Sequence, residues 1–273
     1  MRLTRMRRPD ESASSTTTST SEPTGNADCA WDLFDSYKYL QHNYDTLHDL
    51  DRVIIGHLGR FFESLAPPSG WHGVDIGSGT NLYPAMAMIP LTETINLWEH
   101  SAANIAWLAR EIRSCGKLWD QFWNALTASA NIYQNVNRPE SALADMTKIE
   151  KASIFNLPEA HWDIGTMFFV AESITGRKAE FELATKKFIR SLRPGAPFVA
   201  AFVENSHGYL VGTQRFPAVA ITEDDIKKVL LGETTGYEIH HIASRQQFRE
   251  GYDGMILVTG TRDQGTHVQP RQY

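Results

Sequence analysis

The sequence predicts an α/β protein, a doubly wound and mostly parallel sheet preceded by a helical cap. Three observations carry that reading. Between Leu47 and Leu65 apolar residues recur every three or four positions, the period of a helix with one buried face. From Trp71 onward, short apolar runs alternate with helical periods, the pattern that sets parallel strands between crossover helices. At Gly77-Ser78-Gly79 a strand runs through a glycine turn into a helix.

The elements follow in order. The first long helix, read from Asp45, carries Leu47, Leu50, Val53, Ile54, Leu58, Phe61, Phe62 and Leu65 on one buried face and is stopped by Pro67-Pro68. Trp71 to Ile76 is a short strand, and Thr80 to Met88 starts the helix beyond the turn. Ile95 to Trp98 is a second strand, after which Ser101 caps a helix bearing Ile105, Leu108 and Ile112 that stops near Gly116. Trp119, Phe122, Trp123 and Leu126 keep helical spacing in an insertion or further crossover. Beyond Arg138-Pro139, strands are expected at Ser153 to Phe155 and Asp163 to Val170. A helix from about Thr175 to Leu192 then breaks at Arg193-Pro194-Gly195. Phe198 to Val203 is a strand and Thr222 to Leu231 a polar helix. Glu238 to Ile242 and Met255 to Thr259 close the sheet as an antiparallel hairpin.

Composition bounds the function. With 273 residues, 42% hydrophobic and 21% charged, the chain suits one substantial domain rather than a disordered protein. A net charge of −6 argues against nucleic acid as the main partner. Cys29 and Cys115 stand far apart with no metal-ligand spacing, so neither a disulfide framework nor a metal site is expected. No apolar run is long enough for a membrane span and no secretory h-region opens the chain, which reads as cytoplasmic, a monomer or homodimer. Ten of the fourteen residues from Glu11 to Thr24 are Ser or Thr, a tract that packs no core. Residues 1–28 are therefore expected as a disordered tail, 29–262 as the domain with a helical lid over 29–66, and 263–273 as a flexible end. A transit peptide is disfavoured by Asp10, Glu11 and Glu22.

The turn carries the chemistry. In a doubly wound sheet the ligand crevice lies at the carboxyl ends of the strands. Gly77 and Gly79 allow positive φ and close backbone approach there, and the amides that open the next helix favour a polar or anionic group. Glu99, 24 residues past Asp75 and at the end of the second strand, can accept hydrogen bonds from both ribose hydroxyls of a nucleoside. Leu82 stands where a dinucleotide fingerprint needs a third glycine, and no GxxxxGK[ST] or GxSxG occurs. S-adenosylmethionine is the best fit, ahead of a dinucleotide oxidoreductase or a non-catalytic protein that binds a nucleoside metabolite or a protein partner.

Val74-Asp75-Ile76-Gly77-Ser78-Gly79-Thr80-Asn81-Leu82-Tyr83 resembles the cofactor loop of the methyltransferase family that contains nicotinamide, phenylethanolamine and thioether/indolethylamine methyltransferases. The segment from Phe34 to Tyr44 resembles that family's N-terminal tyrosine segment. Trp98-Glu99-His100-Ser101 with Asn104 resembles its ribose-binding strand end, and Gly208 to Phe216 its late substrate-side segment. The resemblance implies a Rossmann-like, seven-stranded sheet. It also implies that Tyr39 and Tyr44 cover the cofactor, while Gly77, Ser78, Gly79, Thr80 and Tyr83 hold its amino-acid portion. Glu99 would hold the ribose with His100 and Asn104 nearby, Asp145 and Met146 the adenine, and Phe168 would pass the methionine.

On the acceptor side, Phe202 falls where the nicotinamide enzyme carries an acidic residue, which disfavours nicotinamide itself. Glu204 is then the acid expected to pair with or deprotonate an amine, with Glu172, Glu250 and Asp253 as further carboxylates and His207, His240 or His241 as alternative bases. His240 and His241 are adjacent on a strand and so face opposite ways. Trp31, Phe34, Tyr37, Phe169 and Tyr209, with Phe168 and Phe202, suggest a flat or aromatic acceptor. The expected reaction is methyl transfer to a nitrogen of a small acceptor, with no protein nucleophile required.

Overall fold

A computed structural model describes residues 23–65, 70–242 and 253–265 of the protein. The elements are α1 (Ser36–Asn43), α2 (Asp49–Ser64), β1 (Trp71–Ile76), α3 (Tyr83–Met88), β2 (Thr92–Glu99) and α4 (Ala102–Ser114). They continue through α5 (Asp120–Ser129), α6 (Pro139–Met146), β3 (Thr147–Lys151), β4 (Ile164–Phe168), α7 (Lys178–Ser191) and β5 (Pro197–Glu204). A small hairpin of β6 (Tyr209–Val211) and β7 (Gln214–Phe216) follows, then α8 (Glu223–Leu230), β8 (Thr234–Ile242) and β9 (Gly254–Arg262).

Seven strands form one sheet in the order β3-β2-β1-β4-β5-β9-β8. Strands β1 to β5 run parallel, and β9 joins β5 and β8 antiparallel. The strand order reverses between β1 and β4, so a crevice opens at their carboxyl ends. Side chains alternate across the sheet. Val199, Ala201 and Leu257 join α2 to α5 in one core, while Phe198, Ala200, Phe202, Ile256 and Val258 join α7 and α8 in the other.

Most expected elements are present, with shifted ends. Ser101 caps α4, its hydroxyl accepting from Asn104 N. The segment with Trp119, Phe122, Trp123 and Leu126 is no loose insertion, because its apolar face forms α5 and packs into the core beside α2. One expected strand is corrected. Ser153 to Phe155 is not extended: Ser153 Oγ accepts from Phe155 N and Ile154–Asn156 closes a 3₁₀ turn. The third strand is instead the preceding Thr147–Lys151, an edge strand whose Lys148 and Glu150 point to solvent and so hide it from an apolar-run criterion. Pro67-Pro68 lies outside the described residues.

The expected tail boundary also moves. Residues 23–28 are packed, because the start of α7 offers them partners: Asn26 N donates to Glu180 Oε2 at 2.8 Å, Gly176 N to Thr24 O at 2.8 Å and Arg177 Nε to Pro23 O at 2.9 Å.

Gly165 sets how closely α7 lies on β4. A methyl there would stand 2.7 Å from Leu192 Cδ2 and 2.9 Å from Phe188 Cε2. Gly165→Ala is expected to cost about 1–3 kcal/mol of stability by overpacking. Urea unfolding checks this, and an unchanged midpoint would mean that α7 does not press on the strand there.

Candidate functional site

The turn between β1 and α3 is built from its glycines. Gly77 has φ 64° and Gly79 φ 54°, both in the left-handed region that costs side-chain-bearing residues. A Cβ on Gly77 would also meet Val170 Cγ2 at 2.6 Å. The bent backbone lets Gly77 N donate to Trp98 O at 2.7 Å and Gly79 N to Glu99 Oε2 at 2.8 Å, which ties the turn to the end of β2. Glu99 Oε1 accepts from His100 N and Ser101 N, both at 2.7 Å.

Glu99 is thus a buried carboxylate with three amide donors. Burial pushes its pKa up, and the amides of Ser101, Gly79 and His100 pull it back. Oε2 carries one amide, and a carboxylate oxygen has room for more than one donor, so Glu99 keeps acceptor capacity toward the crevice. Thr80 Oγ1 and Asn81 Nδ2 on the same turn are buried with no hydrogen-bond partner among the described residues. Buried polar atoms of this kind normally have partners, and these two line the crevice.

The crevice encloses about 830 Å³, including space open to solvent. Its floor is the glycine turn and Glu99. One wall holds His100, Asn104 and the Ala152–Ile154 corner, and the roof comes from the N-terminal strap. The strap is fixed where it crosses α4: Ser101 Oγ donates to Trp31 O at 2.9 Å, Ala102 N to Asp32 Oδ1 at 2.9 Å and Ser36 Oγ to Asn104 Oδ1 at 2.8 Å. Its aromatic rings meet the β6–β7 hairpin. Trp31 stacks on Phe216 with centroids 5.3 Å apart, and Tyr39 meets Tyr209 edge-on at 6.3 Å.

Tyr39, Tyr44, Gly77, Ser78, Gly79 and Thr80 line this crevice, as do Glu99, His100, Asn104 and Phe168, with Phe34 and Tyr209 on the strap side. Tyr83, Asp145 and Met146 do not. Tyr83 turns into the core, where its hydroxyl donates to Asp51 Oδ1 at 3.2 Å and its ring stacks on Phe122. Asp145 is exposed at the end of α6, and Met146 packs at the edge of the core.

The expected acceptor-side residues are more scattered. Phe202 points into the core beneath α7 and meets Phe181 edge-on, because alternation on β5 sends it away from the crevice. Glu204 sits at the end of β5, 3.8 Å from His241 Nδ1, and His207 and Asp253 are exposed; none of the three lines the crevice. Asp253 Oδ2 accepts from Asn205 Nδ2 at 2.6 Å. Glu172 is fully buried behind the crevice wall, accepting from Val203 N at 2.9 Å, and burial raises its pKa to about 7. Glu250 lies outside the described residues. His240 stacks against His57 of α2 and His241 pairs with Glu223 of α8, on opposite faces of β8 as alternation requires. Tyr37 is exposed under Arg110, away from the crevice.

Sequence reasoning did not single out Asn26, Asn81, Ser153, Ser173 or Ile174, which also line the crevice. Asn81 follows the recognised turn and was within reach of a longer motif. Asn26 lay in a tract read as tail, and Ser173 and Ile174 lie in the loop after β4.

The Asp51–Tyr83 contact has a pH consequence. Burial raises Asp51 to about 7, with the Tyr83 hydrogen bond pulling the other way. Its unfolded value is about 4. The folded state therefore binds more protons between those limits, and the contribution to stability present below about pH 4 is lost as pH rises through about 7. Asp51→Asn keeps an acceptor for Tyr83 and removes the titration. Between about pH 5 and 8, the variant is expected to lose less stability than the wild type, by about 2–3 kcal/mol in urea unfolding. Equal losses would show that Asp51 does not titrate in this range.

The strand order and flanking helices match the Rossmann-like methyltransferase fold. The N-methyltransferase NodS from Bradyrhizobium japonicum WM9, solved with S-adenosyl-L-homocysteine, aligns with TM-score 0.52 and 15% identity over 84% of this chain and 99% of its own. The [4+2]-cyclase SpnF aligns with TM-score 0.51 and 13% identity over 78% of this chain and 80% of its own. YcgJ from Bacillus subtilis aligns with TM-score 0.50 and 10% identity over 77% and 99%. At these identities the likeness is one of fold, and a cyclase among the neighbours shows that the fold does not dictate the reaction. No curated protein matches the chain, and no described helix is long and apolar enough to cross a membrane. The model of the NNMT/PNMT/TEMT family matches residues 24–262, nearly the whole chain, and the protein belongs to that family of S-adenosylmethionine-dependent methyltransferases.

Proposed function

We propose that the protein transfers the methyl group of S-adenosylmethionine to a nitrogen of a small aromatic or heteroaromatic acceptor. The observation that carries this reading is the crevice itself, with a buried carboxylate and a positive-φ glycine turn on its floor and an aromatic strap over it. Family membership supports the cofactor, and the donor set fits it. The spare acceptor capacity of Glu99 suits the ribose hydroxyls, with Asn104 and His100 alongside. The unpartnered Thr80 Oγ1 and Asn81 Nδ2, with the turn amides, suit the amino-acid end. Tyr44 and Phe168 bound the space between.

The bound cofactor supplies an activated sulfonium methyl, so no covalent protein nucleophile is required. What the chain's own residues do is position and exclude water. Trp31, Phe34, Tyr39, Phe169 and Tyr209 give flat apolar surface against which an aromatic acceptor can be held. The strap shuts out solvent while its hydrogen bonds to α4 hold. Glu204 and His207, the side chains expected to act as base, stand outside the crevice, so an acceptor proton is assigned to water rather than to either of them.

Two measurements test this. A screen with labelled S-adenosylmethionine against N-heteroaromatics, amines, thiols and phenols should yield N-methylated product by mass. Tight S-adenosylhomocysteine binding with no product across the panel would favour a non-catalytic nucleoside-binding role. Glu99→Gln should weaken S-adenosylhomocysteine binding by about tenfold or more, the scale of a hydrogen bond to a charged group, and unchanged affinity would remove Glu99 from the ribose site.

A further inference from the structure

A second cavity lies at the opposite end of the molecule, between α2 and the antiparallel strands β8 and β9. Its β9 residues Thr259 and Thr261 pair with Val199 and Pro197 at the start of β5, so it opens at the amino ends of the parallel strands, remote from the crevice. From α2 come His57, Arg60 and Ser64, spaced three and four residues apart and therefore on one face. From β8 come Glu238 and His240.

The charge balance of this cavity is incomplete. Arg60 has no carboxylate within ion-pair distance among the described residues, and its guanidinium folds back over Gly56. The His57 and His240 rings stack with centroids 4.1 Å apart and planes inclined by 34°. Glu238 approaches His240 at 3.6 Å, but its side chain is 79% exposed and leans into solvent. Burial first, then the neighbouring His240 and Arg60, hold His57 below its ordinary value, with Glu238 opposing them. The Thr259 hydroxyl, on a buried residue, and that of Thr261 add neutral donors around the same space.

We infer that this cavity binds an oxyanion of the phosphate or sulfate type between Arg60, His57 and His240. A dianion there gives the guanidinium a bidentate partner and turns repulsion between two protonated imidazoles into attraction to a shared charge. Binding is therefore linked to proton uptake. As pH falls and His57 takes up a proton, affinity rises. Glu238 is the acid on the cavity wall, and the β9 residues of the cavity are uncharged.

Sulfate is the probe, because its own charge stays constant between about pH 5.5 and 8. Titration of the full chain by calorimetry, against chloride at matched ionic strength, should show saturable sulfate binding that tightens about tenfold on acidification, the change that one unit of imidazole pKa represents. Arg60→Ala should weaken it by at least about tenfold, since a charge-assisted bidentate contact is lost. The double substitution His57→Gln and His240→Gln should abolish the pH dependence. Both variants alter partly or fully exposed positions, and retained S-adenosylhomocysteine affinity would show that they fold. Overturning results are sulfate binding no different from chloride, binding indifferent to Arg60→Ala, or competition between sulfate and S-adenosylhomocysteine, which would put the anion in the crevice instead.

Discussion

A carboxylate removed from water must be surrounded by donors, and much of the crevice is arranged around meeting that demand at Glu99. Its three amide partners come from two directions. Gly79 reaches it from the turn after β1, and His100 and Ser101 from the first residues beyond β2. Gly79 N can point there only because the turn passes through left-handed backbone at 77 and 79, which is why glycine occupies both positions. The same requirement fixes where α4 starts. Once Ser101 N is committed to Glu99, Ser101 Oγ caps the helix and its hydroxyl proton anchors the strap at Trp31 O. One buried charge thus connects the floor, one wall and the roof.

The two cores explain why these parts keep their places. The sheet presents Phe198, Ala200 and Phe202 to α7 and α8, and Val199 and Ala201 to the helices on the other face. Both phenylalanines of β5 lie on the same face, so these bulky rings fill the core beneath α7. The strap side of the crevice has no such rigid support from the sheet. It is made where the strap, the loop after β4 and the β6–β7 hairpin meet, held by ring contacts among Trp31, Phe34, Tyr39, Tyr209 and Phe216.

That difference decides what could be read from the sequence. The glycine-turn side of the crevice was legible because its geometry is local: a strand, two glycines, a helix start and an acid at the next strand end are spacings along the chain. The sheet was legible for the same reason wherever burial produced apolar runs, and failed at β3, where an edge position exposes Lys148 and Glu150. The strap side was not legible. Asn26 and Tyr209 are separated by most of the chain, and only the fold sets them in one wall. Phe202 shows the limit of alignment by resemblance. It occupies the expected position in the chain, yet the face of β5 on which it falls sends its ring to Phe181. Glu204, expected beside the acceptor, instead leans toward His241 at the far edge of the sheet.

Helix α2 is the element common to both ends of the molecule. Near its start Asp51 meets Tyr83 at the root of α3, behind the cofactor turn, and two turns later His57, Arg60 and Ser64 face the basic cavity. A ligand in that cavity changes the crevice only to the extent that it binds one position of α2 more tightly than another. Ile54, Ile55, Leu58 and Phe62 are fully buried along the intervening helix, so small rotations of α2 are resisted by a close-packed core and any response must move it as a unit. The Asp51–Tyr83 hydrogen bond is one of the contacts that tie α2 to the start of α3. Burial leaves Asp51 titrating near neutrality toward the start of α2 and lowers His57 farther along it, so the same helix carries two titrating groups displaced from their ordinary values in opposite directions.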